Sequence, residues 1–338
     1  MDDAGNPTTR RGGFAAGLAG LLAALAPPPG VLPAARAQGS DARPVQRVVV
    51  PYPPGGTTDV TARLLSARAS GALGRTWVIE NRSGANGAIG ADVVARAAPD
   101  GGTLLYSNEV LAVLRFVQRA VPFDLLADLA PIARTVSIPY VLVGGARHVA
   151  HPDVHALVEA VRRAPDRFGF AGSTLGSIGQ LGAAALGQRL GVELTIVAYR
   201  GSGPALNDLV AGSVALMFAP LGAVQPLIAG GQLRAFASTS TARLASMPDL
   251  PTMAEAGFPD LLFEGWTGLW GPKGLPAGRV DEVRAAAHAA LRDPEVARRL
   301  GDLGCAPIFE GSDEFARLLA AEVTRNAALT QAAGIRPE

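Results

Sequence analysis

Short apolar runs of strand character alternate along this chain with longer runs of helical spacing. Val48–Val50 is a β-branched triplet and predicts a short buried strand. Pro53 and Pro54 then hold the chain extended, and Gly55 and Gly56 let backbone approach backbone or ligand closely. Thr57, Thr58 and Asp59 are helix-capping types. Residues 60–73 follow as a helix with Leu64, Leu65, Ala69 and Leu73 toward one face, stopped by Gly74. The same reading predicts strands at 76–80, 103–107, 168–171, 195–199, 214–218 and 234–238. It predicts helices at 89–97, 151–164, 181–190, 204–210 and 223–228. Beyond Pro251 the pattern changes: 262–270 is extended, and 279–291, 294–300 and 312–332 are helical.

This order of strands and helices implies α/β architecture, with parallel sheets covered by helices on both faces. In such sheets ligands bind beyond the carboxyl ends of the strands. Four strand-to-helix loops share small, polar chemistry, three of them with glycine: 53–59, 107–109, 173–177 and 200–203. A strand that turns through glycine into a helix aims free N–H groups at one point, and that point attracts carboxylates.

Composition narrows the function classes. Net charge is +1 in 338 residues, which argues against nucleic acid as a partner. Cys305 is the single cysteine, so no internal disulfide can form. Four scattered histidines have no metal-ligand spacing, and no Ser/His/Asp or Cys/His catalytic set is apparent. His148, His151 and His155 fall on a loop and helix start and are expected at the surface. Residues 84–90 have G-x-x-G-x-x-G spacing rather than the dinucleotide G-x-G-x-x-G, and no cofactor or metal is expected. Trp266 and Trp270 share strand parity and predict core.

Residues 1–37 carry the marks of a cleaved signal peptide. Arg10 and Arg11 precede the uncharged apolar stretch 14–26, which is too short to span a bilayer, and Ala35-Arg36-Ala37 matches an A-x-A cleavage site. Residues 9–14 partly resemble a twin-arginine signal, so either that route or the general secretory route would deliver the chain to the periplasm.

With these loops placed, the chain resembles the substrate-binding receptors of the tripartite tricarboxylate transporters, also called Bug receptors. Residues 50–59 (VPYPPGGTTD) match the family's first ligand loop. Residues 80–87 (ENRSGANG) match its E-N-x-x-G-A-x-G segment, and 98–101 (APDG) its turn. Residues 199–205 (YRGSGPA) and 251–257 (PTMAEAG) match two later segments. The resemblance implies a two-lobe periplasmic-binding-protein-like fold, each lobe a mainly parallel sheet flanked by helices, joined at a hinge. Lobe 1 would comprise 45–137 plus 240–338, and lobe 2 would comprise 138–239. It also implies a receptor without catalysis. Such a receptor binds a small organic acid, amino acid or aromatic monoacid between the lobes and delivers it to the permease subunits of a membrane transporter. A receptor that docks on a sensor kinase is the alternative.

The site residues follow from the matched loops. Tyr52, Gly55, Gly56, Thr57 and Thr58 would form the first cradle, with Asn86 from the second segment and Ser107, Asn108 and Glu109 from the third. Ser173, Thr174, Gly176 and Ser177 would form the second-lobe half, with Tyr199, Arg200 and Ala219 beside it. Asp59 is expected to cap its helix rather than touch an anionic ligand. Three positions depart from the family pattern: Gln180 where histidine is frequent, Ala219 where aspartate is, and Glu109 where small or neutral polar residues are usual. Either Glu109 turns outward to water, or it points into the cleft. Inward, it would repel a second ligand carboxylate by a few kcal/mol at an effective dielectric of about 20. That geometry would favour a monocarboxylate, amide or zwitterion over a tricarboxylate.

Overall fold

The computed structural model describes residues 45–199 and 201–337. The signal-peptide reading on 1–37 and the candidate Arg200 therefore lie outside the described residues. In chain order the first half of the fold runs β1 (Val45–Val50), α1 (Thr57–Leu73), β2 (Thr76–Asn81), α2 (Ala88–Ala95), β3 (Thr103–Asn108), α3 (Leu114–Val117) and β4 (Leu129–Ile138). Next come β5 (Tyr140–Gly145), α4 (Val154–Arg163), β6 (Phe170–Gly172), α5 (Ile178–Leu190), β7 (Ile196–Ala198), α6 (Ser202–Ala211), β8 (Leu216–Pro220), α7 (Leu221–Ala229) and β9 (Leu233–Ser238). The chain closes with β10 (Gly265–Pro272), α8 (Ala277–Leu291), α9 (Pro294–Asp302), β11 (Ala306–Glu310) and α10 (Ser312–Ala332).

Two sheets result, with strand orders β11-β4-β10-β3-β1-β2 and β7-β6-β8-β5-β9. Strand alternation decides what each face packs. Val48 and Val50 point to the side of α1 and α8, where they meet Leu65, Ala69, Val283 and Ala287. Val49, between them, points to the opposite side, with Ala91 and Val94 of α2, Trp266, Trp270 and Phe315 of α10. In the second sheet Leu216 and Phe218 face α4 and α5, whereas Met217 and Ala219 face α6 and α7. Both tryptophans are core, as their parity predicts.

The expected parallel pairing holds for β1 with β2 and β3, and for β6 with β7 and β8. The sheets are mixed rather than parallel throughout, and the crossing between them explains why. β4 ends at Ile138 in the first sheet and β5 begins at Tyr140 in the second, with Pro139 between them. The chain returns beside this crossing: Thr239 N–H donates to the Tyr140 carbonyl at 3.0 Å, and Phe263 N–H to the Thr239 carbonyl at 3.0 Å. β10 therefore starts where β4 stopped, with Gly265 opposite Ile138, and must run antiparallel to it. β9 likewise ends where β5 began, with Ser238 opposite Val141. The apolar pattern did not reveal β4, β5 or β11; β4 contains Pro131 and Arg134, which interrupt it.

Candidate functional site

Five segments from both sheets enclose a cavity of about 530 Å³. Residues 51–53 follow β1, and Ser83, Gly84, Asn86 and Gly87 follow β2. Asn108, Glu109 and Val110 end β3. Tyr140 begins β5, and Ser173, Thr174 and Ser177 lie between β6 and α5. Four of these segments sit at carboxyl ends of parallel strands, the position expected of a ligand site in such sheets.

The first wall is tied together by Tyr52 and Asn108. Tyr52 donates its hydroxyl hydrogen to Asn108 Oδ1 at 2.6 Å and lies 3.4 Å from the Ser107 hydroxyl, which donates to it. Asn108 also accepts from Val110 N–H and donates to the Thr58 hydroxyl, each at 3.2 Å. Burial holds the Tyr52 phenol well above its ordinary pKa, so it stays neutral. Between β2 and α2 the chain turns through Gly84, Ala85, Asn86 and Gly87, all at positive φ. A Cβ at Gly87 would meet the Tyr52 hydroxyl at 3.1 Å, so glycine is needed there for close approach as well as for its backbone angle.

The opposite wall is the start of α5. Ser177 is its N-cap and is buried, yet its Oγ has no hydrogen-bond partner among the described residues. Gln180 does not face the cavity as a ligand group. Its Oε1 accepts the Gly176 N–H at 2.7 Å and so fixes the loop before the helix. Ser173 is held from outside, its carbonyl accepting Gly201 N–H at 2.7 Å.

Glu109 points inward and is 9% exposed. Its Oε2 accepts the Trp266 main-chain N–H at 3.3 Å. Burial raises its pKa to about 7, against hydrogen bonds from its own and the Trp266 N–H, with the nearby Glu322 carboxylate adding to the rise. The indole of the same Trp266 donates to both Glu322 oxygens at 3.1 Å, and burial raises the Glu322 pKa too. A pocket of about 10 Å³, room for about one water, lies behind Glu109 and is lined by Gly176, Glu322 and Arg325 among others. No lysine, arginine or histidine side chain stands among the described residues lining the main cavity. Hydroxyls, amides and one carboxyl make up its polar surface, a set suited to binding and lacking a nucleophile–base pair.

Of the candidates, Tyr52, Asn86, Asn108, Glu109, Ser173, Thr174 and Ser177 line the cavity. Thr58 and Ser107 stand one hydrogen bond behind it. Gly55, Gly56 and Thr57 are exposed and off the lining. Asp59 accounts for that: it accepts the Gly55 N–H at 3.0 Å, and Arg63 and Asn81 also donate to it, so the turn folds back on its own carboxylate. Those donors hold the Asp59 pKa below its usual value despite burial. Gly176 faces Val117, where a Cβ would sit 2.6 Å away. Ala219 is off the lining because strand parity turns it into the α6–α7 layer. Tyr199 is also off it: its hydroxyl donates to Asp208 at 2.7 Å, and desolvation with that carboxylate pushes its pKa up to about 12. Ser83, Gly84 and Gly87 also line the cavity, and the E-N-x-x-G-A-x-G segment that contains them is the signal that marks them. Tyr140 had no signal, because its strand was not recognised.

Two α/β lobes around a cavity edged with hydroxyls and amides define a solute-binding receptor of the periplasmic-binding-protein type. The family described as tripartite tricarboxylate transporter family receptor matches residues 61–335, and the chain belongs to that family. It is 37% identical over 293 residues to the UPF0065 protein of the tcbD-tcbE intergenic region of Pseudomonas sp. (strain P51), covering 86% of this chain and 87% of that one. It is 34% identical over 297 residues to protein BugT of Bordetella pertussis (strain Tohama I), covering 87% and 90%. Among solved structures, the periplasmic binding protein BugD superposes with a TM-score of 0.71 at 31% identity, over 87% of this chain and 99% of that one. R. palustris Rpa4515 with adipate gives 0.75 at 33%, over 87% and 99%. MatC of Rhodopseudomonas palustris with bound malate gives 0.70 at 31%, over 84% and 98%. As a member of this receptor family, the chain is a receptor rather than an enzyme.

Proposed function

We propose that this receptor is exported to the periplasm, captures a small organic carboxylate in the cavity and delivers it to the permease subunits of a tripartite tricarboxylate-type transporter. The observation that carries the reading is the convergence of loops from both sheets on one polar cavity, with Ser177 Oγ buried there and unpartnered. A carboxylate oxygen would satisfy that hydroxyl and the first N–H groups of α5 together. The adipate and malate held by two relatives are consistent with this ligand class. The lobes are proposed to comprise 45–137 plus 240–338, and 138–239, with the hinge at Pro139 and the strand beside it. A ligand that touches both lobes would stabilise the closed form over the open one.

The reading is tested on the purified protein by mass spectrometry of released small molecules and by a thermal-shift panel of organic acids. A ligand that binds only the folded state raises the melting temperature. Recovery of an unchanged carboxylate and a saturable shift are expected. No shift with any acid, or chemical turnover of the bound molecule, would overturn it.

A further inference from the structure

We propose that Glu109 selects ligands that carry an amine or amide N–H at the end opposite their carboxylate; this rests on the cavity being the receptor site. Ser177 Oγ is buried in the lining with no partner among the described residues, and no other described residue donates to Glu109 Oε1. The Ser177 hydroxyl can donate or accept. Glu109, when ionised, can only accept. Its rotamer is fixed from behind, because Oε2 takes the Trp266 N–H and a Cβ at Gly265 would already be 3.4 Å from Oε1. The open oxygen is thus held in place rather than free to swing to water.

Charge balance sets the ligand class. The groups around Glu109 are Tyr52 from the loop after β1, Tyr140 of β5, Trp266 of β10, and Glu322 with Arg325 of α10 across the small pocket. Both phenols are kept neutral by burial, and Arg325 leans toward Glu322, its Nη2 3.4 Å from Oε1. No described cation lines the cavity to offset a second ligand carboxylate. A dicarboxylate would leave its far carboxylate facing Glu109 unless the pair held a proton. A ligand ammonium or amide supplies a donor that no other described residue gives Oε1, while its carboxylate meets the hydroxyls and N–H groups of Ser173, Thr174 and Ser177.

The test is calorimetry at about pH 8, where Glu109 is mostly ionised, with ligands matched in length: glutarate against 5-aminopentanoate, and adipate against 6-aminohexanoate. The expected result is tighter binding of the amino member by about tenfold or more in the unaltered protein. In Glu109→Gln, whose fold is checked by its melting temperature, that preference should shrink by about the same factor. Equal or tighter binding of the dicarboxylates by the unaltered protein overturns the inference while leaving the receptor reading intact, and that comparison needs no variant. An unchanged preference in Glu109→Gln also overturns it. If neither series binds and no organic acid raises the melting temperature, the receptor reading fails and takes this inference with it.

Discussion

Gly222, in the first turn of α7, approaches Leu303 so closely that a Cβ on the glycine would lie 2.1 Å from the Leu303 carbonyl oxygen. Gly304 approaches from the same side, its own Cβ position 2.6 Å from Gly222 N. The contact joins the helix that follows β8 of the second sheet to the segment between α9 and β11, a strand of the first sheet. A backbone carbonyl cannot swing aside as a side chain can, so any side chain here must push these two segments apart locally.

Gly222→Val should therefore lower ligand affinity by about tenfold or more and cost about 1–3 kcal/mol of stability through overpacking. Calorimetry with the thermal-shift ligand and urea unfolding measure the two effects. Gly203→Ala is the control: a Cβ there meets nothing within 4 Å and should leave both quantities unchanged.

Ser177→Ala separates binding from folding. The hydroxyl has no protein partner, so its loss should change stability by less than about 0.5 kcal/mol. The same change should weaken carboxylate binding by about tenfold, a value typical of one lost hydrogen bond to a charged group. Destabilisation with unchanged affinity would show that the serine serves only the helix end.

Glu109 makes stability depend on pH in a defined direction. Its ordinary value of 4.5 rises to about 7 in the folded protein. Between these values the folded state holds a proton that the unfolded chain has released. The Glu109 contribution is greatest below pH 4.5 and is lost as pH rises through about 7, amounting to about 3 kcal/mol. Asp59, whose pKa is lowered, acts oppositely, its contribution disappearing as pH falls. The difference between the parent and Glu109→Gln isolates the first effect. Urea unfolding from pH 4 to 8 should show the parent losing stability relative to the variant, and parallel curves would refute the assignment.

Trp266→Phe should cost about 2–4 kcal/mol. The ring fills part of the core against Trp270 and Phe315, and the indole N–H satisfies the buried Glu322 carboxylate. Adding Glu322→Gln should recover part of the loss, because a neutral amide is cheaper to leave without its partner. Chemical denaturation of the single and double variants checks both.

Much of the fold was legible in short-range patterns. Val48–Val50 and the period of residues 312–332 carry their own local physics, and the α10 boundaries agree at both ends; residues 57–59, read as caps, are instead the first turn of α1, whose N-cap Gly56 has no side-chain cap bond. The site was legible less evenly. Glycine and hydroxyl loops pointed to Ser173, Thr174 and Ser177, which line the cavity, because a loop at a strand end is placed by the strand before it. The same reasoning pointed to Gly55, Gly56 and Thr57, which lie off the lining because Asp59 folds their turn back through a bond four residues away in sequence.

Periodicity and loop chemistry by themselves determined most of the strands and helices, though not β4, β5 or β11, since side-chain alternation and capping act over a few residues. Tertiary structure alone decided the direction of β10, the outward turn of Tyr199 to Asp208 and the inward turn of Glu109. Each depends on partners that chain crossing brings together: Trp266 lies 157 positions beyond Glu109, yet its N–H holds that carboxylate in the cavity. A buried charge adopts whichever orientation the surrounding donors allow, and those donors exist only once the lobes are built.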